Sequence, residues 1–362
     1  MGRTWRVGVV GTSPWVETGH LPGLASRADV ELAALCGRTR DRLAALAEKL
    51  RVPATYTDWR EMIARGGLEV LVIATPNRLH APIALAALEE GLHVICEKPL
   101  AMSLSEARSM AALARAKRRC ALTFFNYRAI GAAAHMKRLI AEGLLGTPHH
   151  VSAAYLKDSY LNLGRPLTWR MRKAEAGSGV LADLGSHVVD LVRYWLGDFV
   201  RVCGAWQIAV PERPGGKVDV DDACAFLAEL ASGVQAMVQV SKLAAGRTNY
   251  QRVEICGREG SLVYESDPGH LTSWEGRLLH GRPGRAGLVP LEIPPDTKAG
   301  LDTPDEAAGR REAYRRLTDG FFAALAGEKR GVYPDFEDGV AVQAVLEAVA
   351  SSAEGGRWVK VG

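Results

Sequence analysis

No C-x-x-C pair occurs in this chain. Its six cysteines, Cys36, Cys96, Cys120, Cys203, Cys224 and Cys256, stand apart from one another, so a zinc site is not signalled and no metal is expected. They fall mostly in apolar stretches, where a free thiol behaves as a small hydrophobe; that usage suits a reducing cytosol, and a cytoplasmic protein is expected. Long apolar runs are missing as well. None approaches the roughly 20 residues of a membrane span, and the chain enters a strand at Trp5–Val10 with no stretch long enough for a signal peptide. Neither sign of charge dominates: 45 Lys and Arg face 41 Asp and Glu, a formal net charge of +4. That is too small to imply a nucleic-acid partner, since such partners call for a concentrated basic patch. The one basic run, Lys117-Arg118-Arg119, reads as the last turn of a helix, where the helix dipole favours cations. Internal repeats and low-complexity tails are absent too.

What remains is an ordinary globular composition, 48% hydrophobic and 24% charged over 362 residues, which suggests two or three domains. "WRVGVVG" (5–11), "VELAALCGR" (30–38), "LEVLVIATPN" (68–77), "LHVICEKP" (92–99) and "CALTFFNYR" (120–128) read as strands. Between them, "TRDRLAALAEKL" (39–50), "HAPIALAALEEG" (80–91) and "SLSEARSMAALARAKRR" (103–119) carry apolar residues at helical spacing. Strands apolar on both faces, alternating with helices, belong to a parallel sheet covered on each side. Residues 1–125 therefore read as a doubly wound α/β domain of Rossmann type, with its ligand crevice at the carboxyl ends of the strands.

After Arg128 the texture changes. A helix over about 130–143 precedes a long strand, "PHHVSAAYL" (148–156). Residues 157–180 are irregular and rich in Tyr, Trp and Arg, and "LADLGSHVVDLVRYWLG" (181–197) reads as a helix. Strands then follow without intervening helices, near 200–210, 223–230, 234–242, 251–256 and 260–264. "ELASGVQA" and "ICGREGSLVYE" read as hairpins. Residues 126–362 are thus expected to form a second α/β domain with a large, open, mostly antiparallel sheet. Residues 276–305 read as Gly/Pro-rich loop. Two helices, near 308–326 and 337–353, close the chain, and the last is expected to pack back on the first domain.

The turn "GVVGTSPWVETGH" (8–20) stands where a dinucleotide fingerprint belongs. Gly11 takes the first glycine place, but Ser13 and Val16 take the other two, so the motif is degenerate; its context, after a strand and opening a helix, is right. Gly8, Gly11, Thr12 and Ser13 are the candidates at the phosphates. The second strand ends Cys36-Gly37-Arg38-Thr39 with no carboxylate for a ribose 2′-hydroxyl, and Arg38 can pair with a 2′-phosphate; this favours NADP over NAD. Thr75, Pro76 and Asn77 lie at the next strand end, where proline exposes backbone groups and Asn77 is placed to cap the following helix. His80 reads as helix packing beside the cofactor. Glu97-Lys98-Pro99 ends a buried strand in charge, although Lys and Glu are rarely buried unpaired. Asp183 and His187 stand four apart on one helix face, preceded by the small residues Gly177, Ser178 and Gly179, which allow close approach of a ligand. A carboxylate beside an imidazole orients it and tunes its proton affinity.

These paired motifs, with "ATPNRLH", "CEKPLA", "NYR", "WRMRKAEAGSGVLADLGSHVVDL", "VDDACAFLAELASG" and "YPDFEDGVAVQAVLEAVASSAEGGRWVKV", resemble the Gfo/Idh/MocA oxidoreductases of sugars and cyclitols almost end to end. The resemblance implies a Rossmann domain and a second domain whose open sheet builds homodimers or homotetramers. It implies Lys98 beside substrate and nicotinamide, with Glu97 alongside, Asp183 as a substrate-positioning carboxylate and His187 as general acid/base. It also places Arg128 and Trp169 in the pocket lining. Gly131-Ala132 depart from the proline that members often carry after "YR". Arg170 lies in a polar, aromatic and cationic stretch suited to a polyhydroxylated ligand, or equally to an interface. Two alternatives share the fold: a non-catalytic sugar- or dinucleotide-binding regulator, and a glycosidase using transient NAD redox.

Overall fold

Strands β1 (Trp5–Val10), β2 (Val30–Cys36), β3 (Ala54–Tyr56), β4 (Val70–Ile73), β5 (His93–Cys96) and β6 (Ala121–Thr123) form one sheet in the order β3-β2-β1-β4-β5-β6, every pair parallel. The computed structural model describes residues 3–268, 270–328 and 330–362. All four residues of β4, Val-Leu-Val-Ile, are buried, as a strand covered by helices on both faces requires. One side of the sheet packs Leu71, Ile73, Val94 and Cys96 against Ile83, Leu88, Met110 and Phe336. Helix starts follow local chemistry. Asp58 accepts from the Arg60 N–H at the head of Trp59–Arg65, and Ser103 accepts from the Glu106 N–H at the head of Leu104–Ala116; both satisfy donors that the first turn leaves orphaned. Helix His80–Glu89 stops at Gly91, whose φ of 77° suits a residue without a side chain.

The first compact unit runs through Asn126 and takes back Arg310–Val340; the second holds Tyr127–Gly309 and Ala341–Gly362. The returning segment brings most of the helix Glu306–Leu325, whereas the last helix, Phe336–Gly355, contributes only its first residues. Pro334 and Asp335 bond to Thr123 and so hold this return beside β6. β6 is shorter than the expected strand over 120–128. It ends at Thr123, and Asn126–Ala129 turn as a 3-10 helix.

Among the described residues, the second unit is built on nine strands of one open sheet. These are β7 (Pro148–Leu156), β8 (Phe199–Gln207), β11 (Ala223–Leu230), β12 (Gln235–Ser241), β13 (Tyr250–Gly257), β14 (Gly260–Ser266), β15 (Arg277–Gly281), β16 (Val289–Leu291) and β17 (Val359–Lys360), while β9 (Glu212–Arg213) and β10 (Gly216–Lys217) make a separate ribbon. The order is β16-β15-β14-β13-β7-β12-β11-β8-β17, antiparallel throughout except for β7 with β12. The segment 276–305, expected to be loop, instead supplies β15, β16 and the short helix Pro295–Lys298. Leu278 is buried opposite Tyr264, and Ile293 and Leu301 are buried further on; glycines and prolines around these anchors mask them in the sequence.

Along β11, and along β12 as far as Val240, burial alternates, the mark of a sheet packed on one face. Helix Ser186–Leu196 is buried along most of its length and carries the D-x-x-x-H segment. Its head, Leu181–Gly185, is wound as a π-turn, so the helix becomes regular only from Ser186. Among the described residues no helix is long and apolar enough to cross a membrane.

Candidate active site

In the first unit, Gly11 leaves β1 with φ of 132°, and a Cβ there would lie 2.3 Å from the Ala74 carbonyl oxygen. Glycine is therefore obligatory at this place. The other two glycine places are filled differently. The Ser13 hydroxyl accepts from the Val16 N–H at 3.3 Å and its carbonyl accepts from the Glu17 N–H, starting the turn, while Val16 is fully buried. The turn lies where the sheet order reverses, between β2 and β4 on the two sides of β1, the place where open α/β sheets bind ligands. A backbone that no side chain can fill, with Thr12 and Ser13 reaching solvent after it, fits a dinucleotide. Gly8 lies inside β1, paired with Ala34 and Leu71, and its bare α-carbon makes room for Leu68. Gly37 faces Thr12, and a Cβ on it would come within 2.5 Å of the Thr12 methyl. Arg38 and Thr39 are exposed just beyond.

Glu97 answers the puzzle of a charged strand end. Its Oε1 is 2.8 Å from His20 Nε2, and its Oε2 accepts from the Lys98 N–H at 3.1 Å. His20 is 1% exposed and packed between Phe124 and Tyr314, at 4.4 and 5.0 Å between ring centroids. Burial alone would raise the Glu97 carboxyl. The His20 bond and the charges of His20, Lys98 and His80 override it, and its pKa lies below the ordinary value. His80 is completely buried, its ring nitrogens held by the Pro99 and Thr75 carbonyls, and desolvation lowers its pKa. It ties the "ATPN" and "EKP" turns together. Thr75 and Pro76 form that turn, and Asn77, expected to cap the helix, opens a 3-10 turn ahead of it; the N-cap place belongs to Leu79.

In the second unit a carboxylate absent from the sequence reading organises the site. Asp221 Oδ1 accepts from the Gly179 N–H at 2.6 Å and Oδ2 from the Leu181 N–H at 2.7 Å. A Cβ on Gly179 would fall 1.9 Å from the Asp221 carbonyl oxygen, so the "GSG" stretch is small because Asp221 grips it from below. Asp183, two residues on, has its Oδ2 2.5 Å from Lys242 Nζ, and its Oδ1 3.9 Å from Arg170 Nε. Arg170 lies over the Trp169 ring at 4.3 Å. The His187 ring, 7% exposed, meets Tyr127 edge-on at 4.6 Å and is 6.1 Å from Tyr155. The Tyr127 and Tyr155 hydroxyls are 2.8 Å apart. Asn249 bridges them, and its Oδ1 also takes a bond from Lys157. Burial is the main cause that raises both tyrosine pKa values, so both hydroxyls stay protonated near neutrality.

Arg128, expected in the pocket lining, is 6% exposed and pairs with Asp190, Nε to both carboxylate oxygens and Nη2 to Oδ1 at 2.5 Å. The pair ties the end of the 126–129 turn to the middle of the His187 helix. Lys242, Tyr127, Tyr155, Asn249, His20 and Asp221 were not singled out by sequence. Lys242 carries a signal like that of Lys98: a lysine within two residues of a buried strand end.

A Rossmann sheet with a glycine turn at its switch point, followed by a second unit that carries charged and titratable groups on a helix head, defines a dinucleotide-dependent oxidoreductase. The chain belongs to the Gfo/Idh/MocA family: residues 5–125 match the oxidoreductase family's NAD-binding Rossmann fold, and residues 133–263 match the GFO/IDH/MocA C-terminal domain. Levoglucosan dehydrogenase of Pseudarthrobacter phenanthrenivorans is 34% identical over 84% of this chain and 83% of its own. D-glucoside 3-dehydrogenase of Escherichia coli is 27% identical over 98% and 97%. A solved levoglucosan dehydrogenase in complex with NADH and L-sorbose superposes with a TM-score of 0.89 at 31% identity, covering 100% of both chains.

Proposed function

We propose that the protein oxidises a secondary alcohol of a sugar or cyclitol to the ketone, or runs the reverse reaction, with a nicotinamide dinucleotide. The observation that carries this reading is the second-unit cluster. It sets an imidazole, a charge-paired carboxylate and a tyrosine–asparagine hydrogen-bonding set around one helix head, a donor and acceptor array suited to a polyhydroxylated ligand. The named activities of the relatives, on levoglucosan and D-glucosides, support a sugar. Held at the Gly11 turn, the dinucleotide supplies the two-electron acceptor or donor. His187 takes the hydroxyl proton as the alcohol becomes a ketone, a task suited to a neutral imidazole. The Lys98 ammonium stabilises charge developing on that oxygen. Asp183 accepts from a neighbouring hydroxyl, and Trp169 and Arg170 offer a ring face and a cation beside it. Absorbance at the reduced-nicotinamide band, followed across sugars, inositols and their keto forms with both cofactors, tests the reading. Net reduction with at least one of them is expected. Silence across the panel, or glycoside cleavage without net reduction, would count against it.

For the cofactor, NADP is the favoured partner. No carboxylate follows β2, Gly37 leaves no room for one against Thr12, and the exposed Arg38 enters no ion pair among the described residues. Arg38→Ala should weaken NADP binding about tenfold or more, the worth of a charge-assisted bond, and leave NAD binding nearly unchanged. Titration with both dinucleotides decides it, and an unaltered NADP preference removes Arg38 from this role.

We also propose a homodimer or homotetramer through the outer sheet face. There Leu227 and Met237, 51% and 56% exposed, sit side by side in a row with Cys203 and Ser152, and exposed apolar sheet surface of this kind marks an interface. Leu227→Glu with Met237→Glu should yield monomers in sedimentation velocity, whereas a wild type already monomeric at micromolar concentration would contradict the interface.

A further inference from the structure

Lys242 is the least expected charge in the second unit. It directly follows β12, is 4% exposed, and donates to Asp183 Oδ2 at 2.5 Å and to the Tyr160 hydroxyl at 3.3 Å, its Nζ lying 4.5 Å from the centre of the Tyr160 ring. Tyr160 is itself fixed in a small apolar cluster with Met171, Val218 and Val220, and its carbonyl accepts from Arg213. The ammonium is thus gripped from two sides and points at one carboxylate oxygen. A buried ammonium would ordinarily lose its proton more readily, yet the neighbouring Asp183 charge and bond outweigh desolvation and its pKa is raised. Lys242 is therefore a permanent cation, unfit to serve as a base at neutral pH.

We propose that Lys242 is a positioning residue, which keeps the Asp183 carboxylate ionised and aimed, so that a sugar hydroxyl meets an acceptor of fixed charge and direction. The inference rests on the reading of Asp183 as the substrate carboxylate. Other groups also bear on Asp183. Arg170 approaches it from the 3-10 turn Trp169–Met171, and the Tyr127 and Tyr155 hydroxyls feel its charge from the 126–129 turn and β7. His187 follows it on its own helix, and Asp221 interacts with Lys242 from the segment before β11. Of the cations among them, Lys242 is the one in bonding contact with the carboxylate and the more buried, so its removal should dominate. A neighbouring cation lowers a carboxylic acid's pKa by about 1–3 units; without it, Asp183 must hold its proton to higher pH.

The direct test is a carboxyl ¹³C NMR titration of Asp183 in the full chain, the resonance assigned by its loss in Asp183→Asn. In Lys242→Met the midpoint should rise by about one pH unit or more, while Lys242→Arg should leave it near the wild-type value. The acid limb of kcat/KM, on whichever sugar of the panel turns over, should move up by a similar amount in Lys242→Met, with activity recovering as pH rises. If Lys242→Met does not fold, Lys242→Gln, which keeps a donor without the charge, should shift both readouts in the same direction. An unmoved titration midpoint, or a pH-independent loss that arginine does not rescue, overturns the proposal. Normal turnover by Asp183→Asn would instead remove the substrate role of Asp183, and the inference with it.

Discussion

Replacing His187 by alanine should lower turnover by about a hundredfold or more, with dinucleotide affinity within a factor of two of wild type. Lys98→Ala should do the same. A hundredfold corresponds to about 2.7 kcal/mol of transition-state stabilisation, the range expected when a positioned proton acceptor is lost. On the proposed reading the effect should fall on kcat, because the role assigned to the imidazole arises as the oxygen loses its proton, whereas dinucleotide binding is assigned to the glycine turn. Alanine is a strong helix former, and His187 lies in the first turn of a helix whose head is gripped by Asp221, so the backbone should survive the substitution. The measurement is steady-state kinetics beside a fluorescence titration with the reduced dinucleotide. Near-normal turnover in both variants would refute the assignment.

Arg128→Ala should have the largest effect on stability, about 3–5 kcal/mol. Asp190 is 1% exposed and its carboxylate receives three bonds from this one guanidinium. Truncation strips these three bonds from a buried charge, and that penalty exceeds the worth of the pair itself. The double change Arg128→Met with Asp190→Leu should therefore be much less destabilised than Arg128→Ala, since it removes both charges and fills the space. Denaturant unfolding of the three proteins measures this. A single variant within about 1 kcal/mol of wild type, well below the cost of stranding a buried charge, would show that the pair does not hold the helix.

The contrast between Arg128 and Lys98 shows what sequence carries. The Rossmann half was legible because β-strands buried on both faces cannot be anything but apolar runs, and β4, Val70–Ile73, is buried at every residue. The Lys98 and His187 segments stood out because charged groups break those runs. The short β3 and helix Trp59–Arg65 are not legible: three residues carry no period, and a seven-residue helix with two buried apolar residues, Met62 and Ile63, leaves little more than the cap at Asp58 as a signal. The same holds for β15 and β16, hidden among glycines and prolines. Partnerships between residues far apart in the chain were not legible either. Nothing local says that Glu97 will meet His20, that Asp221 will grip the "GSG" stretch, or that Arg128 will pair with Asp190. The degenerate fingerprint is a case between the two. Gly11 is dictated by backbone geometry, while Ser13 and Val16 are tolerated because one starts the turn and the other fills the core beneath it.

The central claim is that a carbon-bound hydrogen of a sugar passes to the dinucleotide while this chain's imidazole takes the hydroxyl proton. A sugar from the active set, deuterated at its secondary carbinol carbon and incubated with enzyme and oxidised dinucleotide, tests it most directly. The account predicts deuterium on the nicotinamide ring of the reduced product, a slowed rate, and the same transfer at far lower rate with His187→Ala. Deuterium released into water, or a cleaved glycoside with no reduced dinucleotide, would contradict it.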